Sequence, residues 1–289
     1  MKIAVAGASG FIGKRAVAAL VAAGHDVMEL RRQDIETIAR TTTRAGLSAI
    51  QVNAPDILVW AAGRREPTLE ENKWIHAHAL ADVLDYFHLP RVVYLSTGEI
   101  YGDAPLPYRE DSPTLSTSDY AQAKLLGEHV SVSCTSDKAA PDDPAIATVL
   151  RLPLVYGPDQ SARMLIPRLV AALRAGERFP MTHGDQTRDL LFVDDAAQAI
   201  VRAVEAAIPG TFNIASGTEV RIRDVAESIA RTIATARGAS PDDLLALLGF
   251  GEVALRRDEA QRYVMDVSRA REQLGWTATT SLAEGIARL

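Results

Sequence analysis

A doubly wound α/β fold, a parallel sheet with helices on both faces, is predicted for this 289-residue chain, with a smaller C-terminal α/β unit beside it. Three observations predict it. Short apolar runs recur through the first half, helical patterns separate them, and a glycine-rich turn follows the first run.

Within Lys2–Ala6 every residue after the lysine is apolar, as in a parallel strand buried on both faces. Lys14–Ala23 is rich in alanine and suits a helix that Gly24 ends. His25–Leu30, Asp56–Gly63 and Arg91–Ser96 read as further strands, with a helix over Asn72–Phe87 between the last two. Ala147–Leu154 reads as a strand after the helix that carries Tyr120. Ser133–Pro144 mixes Ser, Thr, Asp and Pro and reads as an exposed loop. Beyond Pro158 the alternation weakens. Helices are expected over Ile166–Ala175, Asp194–Ala207, Val220–Ala236 and Ser268–Leu274, and Thr211–Ala215 returns to the sheet. The nucleotide unit is therefore drawn over residues 1–157 together with about 186–216, and the smaller unit over 158–185 and 217–289.

Composition narrows the function classes. With 47% hydrophobic residues the chain can bury a sizeable core, which excludes a disordered protein. A formal charge of −6 disfavours non-specific nucleic-acid binding, while leaving room for local basic pockets that hold phosphates. Cys134 is the only cysteine, so there is no internal disulfide and no zinc-ligand cluster. No apolar stretch is long enough to span a bilayer, and the N-terminus enters a strand directly, so a cytoplasmic enzyme without a metal is expected.

The glycine turn is Gly7-Ala8-Ser9-Gly10-Phe11-Ile12-Gly13, a G-x-x-G-x-x-G spacing between a strand and a helix. Gly7 takes the tight turn, Gly10 lets a pyrophosphate approach the backbone, and Gly13 lets helix and strand pack closely. The helix N-terminus then presents free N–H groups and partial positive charge to the phosphates. Three glycines alone are a weak signal; their place between strand and helix points to dinucleotide binding rather than a structural turn. After the second strand the chain reads Leu30-Arg31-Arg32 rather than an acid. An acid there would repel a 2′-phosphate, whereas two guanidinium groups suit NADP(H). The other account of Arg31 and Arg32 is a solvated surface pair, and NAD(H) stays open.

Tyr120 and Lys124 are four apart and share one helix face. A free phenol, with a pKa near ~10, is a poor base and a modest acid at neutral pH. A lysine one turn along favours the phenolate and lowers that pKa. Thr97, at the end of a strand, can hydrogen-bond the substrate oxygen on which Tyr120 acts. A carbonyl held between them is polarised for hydride attack while Tyr120 supplies the proton. A lone Y-x-x-x-K is common on surface helices; here the glycine turn and Thr97 give it chemical meaning. Glu99, two residues after Thr97, is either an extra acid or base or a loop carboxylate.

With these motifs go Arg151-Leu152-Pro153-Leu154-Val155-Tyr156-Gly157-Pro158, the run Gln186–Asp195, Tyr263–Ala270 and Leu274-Gly275-Trp276. Together they resemble the extended short-chain dehydrogenase/reductases, a family dominated by enzymes of nucleotide-linked sugars, over nearly the whole chain. The resemblance implies a Rossmann sheet. It also implies cofactor contacts from Gly7, Ser9, Gly10, Phe11, Ile12 and Gly13, from Arg31 and Arg32, from Ala61 and Ala62, and from Tyr120 and Lys124. Arg188 and one of Arg256 and Arg257, with Arg257 favoured, would grip the sugar's nucleoside diphosphate. The other account of those arginines is a surface pair, Arg188 with Asp189 or Arg257 with Asp258. A homodimer through the helices carrying His76 and Tyr120 is implied as well.

The chain departs from the family at Leu154, where an asparagine is frequent, and at Trp60, where a histidine is. Family dehydratases place Asp-Glu after the catalytic threonine, and decarboxylases Ser-Glu; here Gly98-Glu99 follows Thr97, which argues against dehydration. The short Gln33–Asn53 stretch and the Pro107–Pro113 segment resemble dTDP-4-dehydrorhamnose reductases, and Thr182–Asp189 resembles reductases that make CDP-linked 3,6-dideoxyhexoses. The Glu99-Ile100-Tyr101-Gly102 run is more like epimerases and dehydratases. The expectation is NADPH-dependent reduction of a 4-keto nucleotide sugar. A nucleotide-sugar 4-epimerase is the alternative, and a non-catalytic NADP(H)-binding regulator a distant third.

Overall fold

A computed structural model describes residues 1–42, 54–63, 68–255 and 259–289. The chain begins β1 (Lys2–Ala6), α1 (Phe11–Ala22), β2 (Asp26–Leu30), α2 (Arg32–Thr42) and β3 (Ile57–Trp60). Next come α3 (Leu69–Lys73), a π-helical turn (Trp74–His78), α4 (Ala79–Phe87), β4 (Arg91–Thr97), a 3₁₀ turn (Gly98–Tyr101) and α5 (Asp119–Ser136). β5 (Ile146–Leu152), β6 (Leu154–Tyr156), α6 (Leu165–Ala175), β7 (Phe179–Met181), β8 (Thr187–Phe192), α7 (Val193–Ala206) and β9 (Gly210–Asn213) follow. β10 (Glu219–Arg221), α8 (Ile222–Arg237), α9 (Pro241–Leu245), β11 (Leu248–Phe250), a second π turn (Ala270–Leu274) and α10 (Leu282–Ala287) complete it.

Six parallel strands form the main sheet in the order β2-β1-β3-β4-β5-β9. Alternation of side chains in the strands builds two cores. Ile3, Val5, Ile57, Val59, Val93 and Leu95 face one side, where α1 and α7 contribute Ala16, Leu20, Ala199 and Ile200. Ala4, Leu58, Trp60, Val92 and Tyr94 face the other, against Ile35 and Ile38 of α2 and Leu80, Val83 and Leu84 of α4. Fully burying one such aliphatic side chain is worth about 1.5–3 kcal/mol, so this double layer supplies most of the drive for the sheet.

The expected strand over Ala147–Leu154 is two strands. Pro153, which has no N–H to give a ladder, separates β5 in the main sheet from β6, which pairs with β8 in a second sheet of order β10-β8-β6. That sheet and the parallel pair β7–β11 enclose a separate core with α6, α8 and α9. The helix carrying Tyr120 runs to Ser136, into the stretch expected to be a loop. Its hydroxyls bond back one turn, Ser131 Oγ to Gly127 O at 2.8 Å and Thr135 Oγ1 to Ser131 O at 2.8 Å, so they do not compete for other backbone groups. The expected helix over Asn72–Phe87 is present but interrupted by the π turn, which brings the His76 ring edge-on to Tyr120 at 5.4 Å between centroids. Among the described residues no helix is long and apolar enough to cross a membrane.

Candidate active site

The strand order reverses between β1 and β3, whose C-terminal ends open the crevice where doubly wound sheets take ligands. At neighbouring spacings of about 4.8 Å, the four strands β2, β1, β3 and β4 line up roughly 14 Å of that edge. Along it lie Arg31 and Arg32, the glycine turn, Ala61 and Ala62, and Thr97, in that order. This row has the length and polarity of an extended dinucleotide.

The glycine turn fits a diphosphate. Gly7 has φ +80°, and a Cβ there would stand 2.7 Å from the Ala61 and Ala62 backbone. A Cβ on Gly13 would overlap the Gly7 carbonyl, so α1 could not start so close to β1. Gly10 is the N-cap of α1, with no side-chain cap and no acid in the first turn, which leaves the helix's first N–H groups for an anion. Ser9 and Gly10 are exposed beside it, while Phe11 and Ile12 pack partly into the core. Arg31 and Arg32 are both exposed at the start of α2. The Arg31 backbone N–H is capped by Asp34 at 2.8 Å, and Arg32 Nε donates to Glu36 at 2.9 Å.

Thr97 ends β4 and caps the 3₁₀ turn, its Oγ1 accepting from Glu99 N at 3.2 Å. The Glu99 carboxylate accepts from Ser118 Oγ at 2.6 Å, and Ser118 in turn caps α5 by accepting from Ala121 N at 3.1 Å. A two-link chain therefore ties the threonine's turn to the first turn of the tyrosine's helix. Glu99 thereby links two elements of the site.

Tyr120, Lys124 and Glu128 fall on one stripe of α5. Tyr120 is half-buried, and Lys124 is buried with Nζ 5.9 Å from the Tyr120 ring centroid and 2.6 Å from Leu95 O. Burial pulls the Lys124 ammonium down to about 7, with the Glu128 charge opposing that fall. Below the site, Glu128 accepts from Arg151 Nε at 3.1 Å, from Arg151 Nη2 at 2.7 Å and from Ser96 Oγ at 2.5 Å. Arg151 Nη1 also donates to Tyr101 Oη and Glu110 O, both at 3.0 Å, and Tyr101 donates to Asn213 at 2.6 Å. The network pins α5 to β4, β5 and β9 at the level of the tyrosine.

Sequence reasoning missed Ser118, Ser96, Glu128 and Arg151. Continuing the helical stripe one turn past Lys124 would have found Glu128; its arginine, 23 residues on, left no local signal.

Arg188 lies on β8 in the second sheet. Its guanidinium holds Glu259 at 2.7 Å and the carbonyls of Thr187 and Ala260 at 2.7 and 2.8 Å, with 12% of the side chain exposed. It is not paired with Asp189, which accepts instead from Ser216 N, Ser216 Oγ and Gly217 N. Arg256, Arg257 and Asp258 lie outside the described residues, as do positions 43–53 of the short stretch after α2.

The sequence and the fold have counterparts among known proteins. The chain is 30% identical to the UDP-glucose 4-epimerase of Mycolicibacterium smegmatis, over 100% of its own length and 97% of that protein. It is 28% identical to a dTDP-glucose 4,6-dehydratase of Escherichia coli over 68% of this chain, which spans 57% of that relative. The structure of RMD from Pseudomonas aeruginosa complexed with NADPH superposes with a TM-score of 0.79 at 21% identity, over 99% of this chain and 96% of that one. Residues 3–215 match the model of one family from end to end of the sheet and through the site, and the chain belongs to that family of enzymes, the NAD dependent epimerase/dehydratase family.

Proposed function

We propose that the chain reduces a 4-keto sugar carried on a nucleoside diphosphate, with NADPH as reductant. The observation that carries this is the row along the sheet edge, with two exposed arginines at one end and the Thr97–Tyr120–Lys124 group at the other. The Arg32–Glu36 pair does not stand in the way. An exposed i,i+4 ion pair is worth only about 0.3–0.5 kcal/mol, so a 2′-phosphate in bidentate contact displaces it readily.

Bound at this edge, reduced nicotinamide supplies the hydride for the sugar carbon. The protein's part is to hold and protonate the oxygen. Thr97 Oγ1 already accepts from Glu99 N, so its own hydrogen is left to point at the carbonyl oxygen. Tyr120 gives its phenolic proton to that same oxygen as charge develops on it. Lys124 donates to Leu95 O and keeps a further N–H for the cofactor ribose, and in its protonated form, which prevails below about 7, its charge favours the phenolate that Tyr120 becomes. Arg188 and Arg257 take the sugar's diphosphate; for Arg188 this means exchanging Glu259 for the more highly charged group. Dehydration is not supported, because Gly98 brings no acid to the position after Thr97.

The full-length likeness to a 4-epimerase favours a second possibility, in which hydride is removed from the sugar and returned to its other face. One experiment separates the two. The purified protein is denatured, any released nicotinamide is identified by mass, and the emptied protein is titrated with NADPH and NADH. An empty site that prefers NADPH is expected; NAD retained at one per chain would point to the epimerase instead and overturn the argument from Arg31 and Arg32.

A further inference from the structure

We infer that Tyr263 is a substrate-positioning residue, whose hydroxyl donates a hydrogen bond to the sugar held beside Thr97. The assignment rests on the proposed action on nucleotide sugars and adds a contact from the C-terminal segment. Its starting point is Gly98, which separates Thr97 from Glu99. The Gly98 backbone lies in a helical turn that any residue adopts, so conformation does not call for glycine. Space does: a Cβ there would overlap the Tyr263 hydroxyl oxygen, with Met265 Sδ and Cε next at 3.0 and 3.1 Å. The Tyr263 hydroxyl thus occupies the volume that a side chain at position 98 would fill.

Tyr263 is held there firmly. Tyr108 N donates to Val264 O at 2.9 Å and Asp266 N to Tyr108 O at 2.8 Å, so the segment is laced on both sides of Met265. Met265 N donates to the buried Asp189 carboxylate at 3.3 Å, and the Tyr263 ring stands edge-on to Tyr108 at 5.2 Å between centroids. Within this frame the Tyr263 hydroxyl has one hydrogen-bond partner among the described residues, the thioether of Met265 at 3.5 Å. A thioether is a weak acceptor, so within the protein this part-buried hydroxyl is poorly paired and its proton stays available to a better acceptor. A sugar oxygen over Thr97 supplies the missing acceptor. Burial, reinforced by the Asp189 carboxylate and the neighbouring phenols Tyr108 and Tyr101, raises the Tyr263 phenol well above its ordinary value, so it serves as donor and never as base.

The test is a steady-state comparison of wild type, Tyr263→Phe, and Gly98→Ser combined with Tyr263→Phe, on nucleotide-sugar substrates with NADPH and with NAD. Tyr263→Phe removes the hydroxyl and keeps the ring. The expected result is a KM for the sugar nucleotide raised about five- to tenfold, with kcat and cofactor affinity little changed, as for one lost neutral hydrogen bond. The double variant returns a hydroxyl to the same volume from the other chain segment, and its KM is expected to fall back toward wild type. An unchanged KM in Tyr263→Phe, with wild type active, overturns the role of Tyr263 alone. A wild-type protein that turns over no nucleotide sugar overturns the proposed function and this assignment together.

Discussion

Glu128 and Arg151 form a bidentate, nearly fully buried ion pair that joins the tyrosine helix to β5, with contacts of 3.1 and 2.7 Å and 7% of each side chain exposed. Removing one partner of such a pair leaves an uncompensated charge, at a cost of about 3–5 kcal/mol. Glu128→Gln is therefore expected to lower the melting temperature by roughly 6–15 °C. Glu128→Leu combined with Arg151→Met should be distinctly more stable than either single change, which calorimetry of the three variants checks.

Tyr120→Phe is expected to keep NADPH affinity and lose about 10²–10⁴-fold in turnover, the range set by one positioned proton donor. Fluorescence titration and initial rates on the same preparation separate the two effects.

Glu99 accepts from Ser118 and so links Thr97 to the cap of the tyrosine helix. A glutamine keeps an oxygen acceptor for that hydroxyl, so Glu99→Gln should retain turnover within about threefold, whereas Ser118→Ala should cost ~1 kcal/mol of stability through the lost cap. Were Glu99 the proton donor or acceptor, the glutamine would be nearly inactive. Urea denaturation and initial rates of both variants decide between these roles.

Lys124 gives stability a pH dependence whose sign is fixed. Its folded value of about 7 lies below the ordinary lysine range, so between the two the unfolded chain binds more protons and stability rises with pH. Below pH 7 both states carry the charge, and the full penalty of burying it is felt. In urea titrations from pH 7 to 9.5, wild type should gain up to ~3 kcal/mol relative to Lys124→Met. A constant difference across that window would show that Lys124 keeps its charge when buried.

The main sheet was legible because β1, β3 and β4 are apolar on both faces, a pattern that only a doubly covered strand needs. Tyr120 and Lys124 were legible because helical spacing is local. The strands of the second sheet were not, since β6 and β10 have three residues each and carry no measurable period. Nor was the continuation of α5 through Ser133–Ser136, where serine and threonine composition suggests a loop until each hydroxyl is seen to bond back along the helix. Contacts such as Arg151 with Glu128 and Arg188 with Glu259 join residues far apart in the chain, and only the fold determines them. The overlap of position 98 with Tyr263 is of the same kind, invisible until two distant segments are brought together.

The most direct measurement incubates the protein with NADPH deuterated at the transferable position and a 4-keto nucleotide sugar, and follows the label by mass spectrometry. Net consumption of NADPH is predicted, with one deuterium delivered to the sugar by wild type and almost none by Tyr120→Phe. Conversion of a 4-hydroxy nucleotide sugar to its epimer, with NADPH untouched and no label gained, would contradict the reductive account.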